Sequence, residues 1–230
     1  MEDWEFAVRN EIVSDYAADR KADAYEKMNE LMLRKNGGKF FRYRPLDDAE
    51  LELIRHGNMY FCRAIRFEGN GDGYVRFKSY LSCFTDDRKS VPMWFDYADC
   101  GRGMCLEYNY EAIEKFADVN GLIFLPVRYD DGIFQVDGSE NSIVSMMTKG
   151  CDRASEYEWL LWKMDLRSSD IGKILSSIVP SRIHIGKMAD RASAAYRELI
   201  SLAEEKGIDI EESGGTAADG YKGNASGSVS

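Results

Sequence analysis

SYLSCFTDDRKSVPMWFDYADCGRGMCLEYNY, residues 79–110, is the stretch from which the fold is read. Tyr80 to Thr85 predicts a strand. Ser90 is suited to cap a short helix, and Pro92 is tolerated in its first turn. Val91, Trp94, Phe95 and Ala98 would form that helix's apolar face. Gly101-Arg102-Gly103 predicts a tight turn, and Met104 to Tyr108 a returning strand. Strand, short helix, glycine turn and strand in this order imply a sheet whose strands are joined by mixed connections.

Upstream, Asp3 to Lys35 carries Trp4, Val8, Ile12, Tyr16, Tyr25, Met28 and Met32 at helical spacing, which predicts one helix or two joined helices. Asn36-Gly37-Gly38 ends it. Lys39 to Arg44 (KFFRYR) predicts a strand broken by Pro45. Leu46 to Arg55 predicts a helix with Asp47 and Asp48 at its positive end, and Met59 to Ile65 a second strand. Gly69 to Gly73 predicts a turn.

Downstream, Asn109 to Asn120 predicts a helix ended by Gly121, and Leu122 to Tyr129 an edge or bulged strand interrupted by Pro126. Asp130-Asp131-Gly132 turns the chain, and Ser139 to Lys149 is expected to be helical. Glu156 to Leu166 fits helix or strand equally. Ile171 to Ile178 is expected as a brief helix, Pro180 to Gly186 as a strand and turn, Ala189 to Lys206 as an amphipathic helix, and Ile208 to Glu211 as a last strand. The composition from Ser213 onward is small and polar and predicts a disordered tail.

Strands and helices without strict alternation imply an α+β fold. The expectation is a single domain with a mixed, mostly antiparallel sheet flanked by helices. Three segments are set apart: an N-terminal helical extension (1–38), the α+β domain (39–212) and a flexible tail (213–230).

The chain has 230 residues, 44% of them hydrophobic, and a formal charge of −10. That length and content suffice for a core, and the charge disfavours direct nucleic-acid binding. Five cysteines, an odd number, are expected as reduced thiols. With only two histidines and one close cysteine pair, Cys100 and Cys105, no metal site is expected. No apolar run is long enough to span a membrane, and MEDWEFAVRNEI at the N-terminus is not a signal peptide. The expected location is the cytoplasm.

Four segments carry a family resemblance: FFRYRPLDD (40–48), HGNMYFCRAIRFE (56–68), SCFTDD followed by MWFDYADCGRGMCLEY (within 82–108), and PSRIHIGKMADRASAAYRELI (180–200). Together they resemble the bacterial domain of unknown function 2971, over about 39–212. The resemblance implies a bacterial protein associated with abortive infection, that is, phage defence. The chain departs from the family pattern twice. Phe67-Glu68-Gly69-Asn70 stands where relatives carry an Asn-Asp-Pro-like turn. Glu158-Trp159-Leu160 stands where they carry Glu-Trp-Arg, so an arginine is missing.

Arg42 and Arg44 lie two apart on one strand and therefore share a face. Such neighbours repel unless an anion sits between them, so they are candidate phosphate ligands; salt bridges to the abundant carboxylates are the structural alternative. Trp94 and Tyr97 are candidates to wall a cleft, Trp94 alternatively anchoring the core. Arg102, between two glycines, is a candidate phosphate contact. Glu107, alternating away from Met104, Leu106 and Tyr108, faces a polar layer or a cleft. Glu156 and Glu158 share a face if their segment is a strand, and a carboxylate near Trp159 and Trp162 is a candidate acid or base. Ser82 is a weak candidate nucleophile, because no base lies near it in sequence.

The order arginine on an early strand, hydroxyl residues on a middle strand and glutamate on a late strand is similar to the arrangement of NAD-using transferases. It implies a nucleotide-binding cleft with ADP-ribosyltransferase-like activity on NAD, Arg42 and Arg44 holding phosphate and Glu158 the developing ribosyl cation. The alternative is a non-catalytic sensor or interaction protein in phage defence or stress, forming a homo-oligomer through its N-terminal helix.

Overall fold

A computed structural model describes residues 1–66, 73–131 and 142–212. The predicted turn over 69–73, the start of the helix expected from Ser139 and the tail 213–230 lie wholly or largely outside the described residues.

In chain order the helices are α1 (Asp3–Ala17), α2 (Lys21–Lys35), α3 (Asp48–His56), α4 (Gly73–Lys78), α5 (Val91–Asp96), α6 (Tyr110–Asn120), α7 (Ser142–Met146) and α8 (Ala194–Lys206). The strands are β1 (Lys39–Arg44), β2 (Asn58–Arg63), β3 (Ser79–Thr85), β4 (Met104–Asn109), β5 (Ile123–Pro126), β6 (Arg128–Tyr129), β7 (Thr148–Lys149), β8 (Glu158–Met164), β9 (Gly172–Ser176), β10 (Arg182–Ile185) and β11 (Asp209–Glu212). Short 3₁₀ turns cover Ala64–Arg66, Asp99–Gly101 and Cys151–Glu156.

The fold is α+β. The main sheet runs β11-β10-β4-β1-β3-β2-β9, and β8 joins β3 to β5. All its pairings are antiparallel except β10 with β11; the small β6–β7 pair is also parallel.

Local chemistry explains most of the elements. Asp47 caps α3, its carboxylate accepting from the Glu50 amide at 2.9 Å, a contact worth about 1 kcal/mol. Ser90 caps α5 as expected, accepting from the Met93 amide. Gly57, Gly121 and Gly207 end α3, α6 and α8 in the left-handed region. Pro126 ends β5, which pairs with β8 alone, so its missing N–H costs the sheet nothing.

The main core takes in one face of β1 and β4 through Phe40, Met104, Leu106 and Tyr108. At its centre Trp159 is fully buried, 4.8 Å from the Phe40 ring and 5.2 Å from the Phe124 ring, centroid to centroid. Each such aromatic contact adds about 1 kcal/mol beyond burial. A smaller cluster on the other face joins Phe41, Tyr43, Met93, Trp94, Ala98 and Cys105.

Three expectations need correction. Ile171 to Ile178 is not a helix: Gly172–Ser176 forms β9 and pairs antiparallel with Asn58 to Cys62 of β2. The open edge of β2 supplies backbone partners that a short isolated helix could not match. The helix expected to reach Lys149 stops at Met146, and Thr148–Lys149 pairs with β6. On α5, Val91 and Phe95 are exposed, and Met93 with Trp94 forms the buried face instead.

The N-terminal segment reads as one helix or two, and two form. They pack as an antiparallel pair, α1 also meeting β5, β6 and α7. Their docking is partly ionic. Arg9 is fully buried, pairs with Glu5 and Asp86, and donates to the backbone oxygen of Glu158 at 2.9 Å. Among the described residues, no helix is long and apolar enough to cross a membrane.

Candidate functional site

The outer edge of β3 pairs with β8 along its whole length. The inner edge is shared: Thr85 pairs with Phe41 of β1, while Leu81 and Tyr80 pair with Cys62 and Arg63 of β2. Between them Ser82, Cys83 and Phe84 have no ladder partner on that edge among the described residues. The sheet forks there, and the fork holds a cavity of about 200 Å³.

Its lining brings together Arg42 and Arg44 of β1, Tyr60 and Cys62 of β2, Ser82 and Cys83 of β3, and Tyr97 just after α5. Lys149, Glu156 and Glu158 close the far side. Arg42, Arg44, Ser82, Tyr97 and Glu158, singled out on the sequence, therefore converge on one cavity.

The cationic wall is uneven. Arg44 is held by Glu50, its Nε donating to Oε1 at 2.6 Å. Arg42 is 8% exposed and forms no ion pair among the described residues; its guanidinium lies 5.5 Å from the Phe84 ring centroid. Burial, and then the Arg44 charge, hold its pKa below the ordinary arginine value. A buried cation beside a second cation is costly unless an anion joins it. Ser82 adds a buried hydroxyl with no hydrogen-bond partner among the described residues.

Turn chemistry keeps this wall in place. A Cβ on Gly103 would sit 2.2 Å from the Arg44 carbonyl oxygen, so only glycine lets the turn approach β1 there. A Cβ on Gly172 would meet the Tyr60 hydroxyl at 2.1 Å, so that glycine makes room for the Tyr60 ring beside the cavity.

The opposite wall is acidic. Glu158 pairs with Lys149. Burial pulls the Lys149 pKa down, but Glu158 and Cys83 more than offset this and lift it above the usual lysine value. Glu156 pairs with Arg153 at 3.0 Å. Burial and the neighbouring Glu158 charge nevertheless raise its pKa, against the pull of Lys149 and Arg153. Tyr157, between the two glutamates, sits in the left-handed region at φ 47°, ψ 47°. That is a strained conformation for a tyrosine. It turns the chain from the 3₁₀ helix into β8 with both carboxylates on the cavity.

Burial pushes the Tyr97 hydroxyl up to about 12, with Glu156 and Glu158 adding to it. Tyr97 is therefore a hydrogen-bond donor at neutral pH. Burial and Glu158 push the Cys83 thiol well above its ordinary value, so it is no ready nucleophile.

Three candidates lie elsewhere. Trp94 is buried against Tyr43, ring centroids 5.1 Å apart, and anchors the smaller core because Met93 and Trp94 form the inward face of α5. Arg102 points outward and pairs with Asp99 at 3.4 Å. Glu107 lies on the other side of β1, where β4 pairs with β10; it bonds His184 and Lys39, each at 2.8 Å. It belongs to a polar layer, the first of its two readings.

Lys149 and Cys83 escaped the sequence reading. Lys149 sits in a two-residue strand whose place depends on β6, and nothing local marks it. Cys83 was visible only as one of several strand cysteines. Among the described residues, no three His, Cys, Asp or Glu side chains converge as a metal site. No family model, curated protein or solved structure matches the chain.

Proposed function

We propose that the forked-sheet cavity binds a phosphorylated, nucleotide-type ligand and acts on its glycosidic bond, in the manner of an ADP-ribosyltransferase using NAD. The resemblance to the bacterial domain of unknown function 2971 is part of the same proposal. One observation supports the reading: Arg42, a buried cation without an ion pair among the described residues, faces the cavity that Glu158 closes from the other side.

In this reading the Arg42 guanidinium takes a phosphate oxygen pair by bidentate hydrogen bonds, and Arg44, already engaged by Glu50, adds field. Ser82 and Tyr97 donate to ligand oxygens. Glu158, fixed by Lys149, stabilises positive charge growing on the ribosyl carbon. A cavity of about 200 Å³ is below the ~300 Å³ at which drug-sized pockets begin. It admits a phosphoribosyl unit, and the rest of a dinucleotide would extend outside.

The test is incubation of the full-length protein with NAD, with nicotinamide release followed by chromatography and binding by calorimetry. Glu158→Gln should abolish release while keeping binding; Arg42→Met should abolish both. Neither binding nor release with the natural sequence would sink the proposal.

A second reading, a sensor or interaction module, is favoured by the bond from Arg9 to the Glu158 backbone, which ties the helical pair to the cavity strand. Leu33 on α2 is 80% exposed and would lie in a homo-oligomer contact. Leu33→Glu should then reduce the mass found by light scattering. An unchanged mass would dispose of that contact without disturbing the buried docking of α1.

A further inference from the structure

A transferase acting on NAD needs one carboxylate at the ribosyl carbon. Nicotinamide departs from a cationic N-glycoside as a neutral molecule and requires no proton. This cavity holds two carboxylates, and they are placed differently. Glu158 opens β8 and is tied to Lys149. Glu156 ends the preceding 3₁₀ helix and reaches the same cavity because Tyr157 adopts the left-handed conformation. Maintaining a tyrosine there strains the backbone. The strained turn brings a second carboxylate to the cavity, where it can only move a proton, to a departing base or from an acceptor.

We propose that Glu156 is a general acid and that the cavity hydrolyses nucleoside 5′-monophosphates carrying an ordinary neutral base. This rests on the phosphate-binding reading above and narrows its substrate class. Size agrees with it: one phosphate on Arg42 and one ribose against Glu158 fill a cavity of about 200 Å³, and the base projects toward Tyr97 at the rim.

The step balances with water as the only co-reactant. The Glu156 carboxyl gives its proton to a ring nitrogen or oxygen of the base. The C1′–N bond breaks with its electron pair leaving on the base, and the ribosyl cation forms beside the Glu158 carboxylate. Water adds to C1′, and its proton returns to Glu156. The products are the free base and ribose 5-phosphate. Glu156 has the environment of a proton carrier: burial and the charge of Glu158 favour its protonated form and outweigh the opposing pull of Lys149 and of the Arg153 ion pair.

The experiment uses the full-length protein with AMP, IMP, UMP and nicotinamide mononucleotide, scoring free base by chromatography and ribose 5-phosphate binding by calorimetry. The expected result is base release from at least one of the three ordinary nucleotides. The natural protein should lose rate as rising pH deprotonates Glu156; Glu156→Gln should lower that kcat by about 100-fold or more and remove this pH dependence. It should leave ribose 5-phosphate affinity, and cleavage of nicotinamide mononucleotide, within threefold. Wild-type rates in Glu156→Gln, or no release from the ordinary nucleotides whether or not the nicotinamide compound is cleaved, would overturn this inference and leave the phosphate-binding reading standing. Absence of ribose 5-phosphate binding in the natural sequence would overturn both.

Discussion

Arg9 and Glu158 meet across the molecule: the guanidinium of the first helix donates to the backbone oxygen of the residue that opens β8, at 2.9 Å. The same side chain pairs with Asp86, which also accepts from the Trp159 indole at 2.8 Å. One fully buried cation thus joins the N-terminal helix, the end of β3 and the start of β8, beside the acidic wall of the cavity.

Arg9→Met should destabilise the protein by about 3–5 kcal/mol, because it leaves the Asp86 carboxylate buried with its charge uncompensated. Burial already raises the Asp86 pKa against the opposing Arg9 charge and Trp159 bond. Adding Asp86→Asn should recover part of the loss. Urea unfolding measures both; a loss under 1 kcal/mol for the single change would show that this network contributes little.

Arg42→Met should move stability the other way. Its charge has no carboxylate partner among the described residues, so an apolar chain of similar length should stabilise the fold by about 1–2 kcal/mol. Thermal unfolding tests this. A destabilised variant would mean that Arg42 supports structure rather than awaiting an anion.

His184 predicts an acid-sensitive fold. It is fully buried, and burial lowers its pKa despite the Glu107 bond and the Glu211 charge, with Arg88 adding to the lowering. A group depressed in the folded state protonates first in the unfolded chain, so stability should fall as pH drops below ~6.5. Glu107 acts with the same sign at lower pH: burial opposes, but Lys39 and His184 hold its pKa below the ordinary value. Denaturation midpoints from pH 7.5 to 5 should decline, and His184→Gln should flatten the slope. An unchanged slope in that variant would assign the acid sensitivity elsewhere.

Gly103→Ala should cost about 3 kcal/mol, since the new methyl would collide with the Arg44 and Pro45 backbone rather than with a movable side chain. Ligand affinity should fall with it, because the strand bearing Arg44 must shift. Native-like stability and binding would show that the turn can slide away from β1.

Much of the chain was legible locally. The cap at Ser90, the acids Asp47 and Asp48 at the start of α3, the stop at Gly121 and the break at Pro126 act within a few residues, so their sequence signals survive folding. The same holds for Arg42 and Arg44, whose shared face follows from strand alternation alone. The segment 171–178 was misread because β9 forms only where β2 offers an open edge, and that edge is more than a hundred residues away in sequence. Trp94 was left open for a related reason: its spacing suits a cavity wall or an anchor, and Tyr43 decides for the anchor.

The sequence by itself determined the α+β class, most element boundaries, and the charged and aromatic residues available for a site. Tertiary structure alone decided that β3 divides its inner edge between β1 and β2. That division opens the cavity and sets Lys149, Glu156 and Glu158 opposite the arginines. The physical reason is that a strand's edge partners are chosen by long-range backbone hydrogen bonding and core packing, and neither leaves a periodic mark on the residues that will face each other.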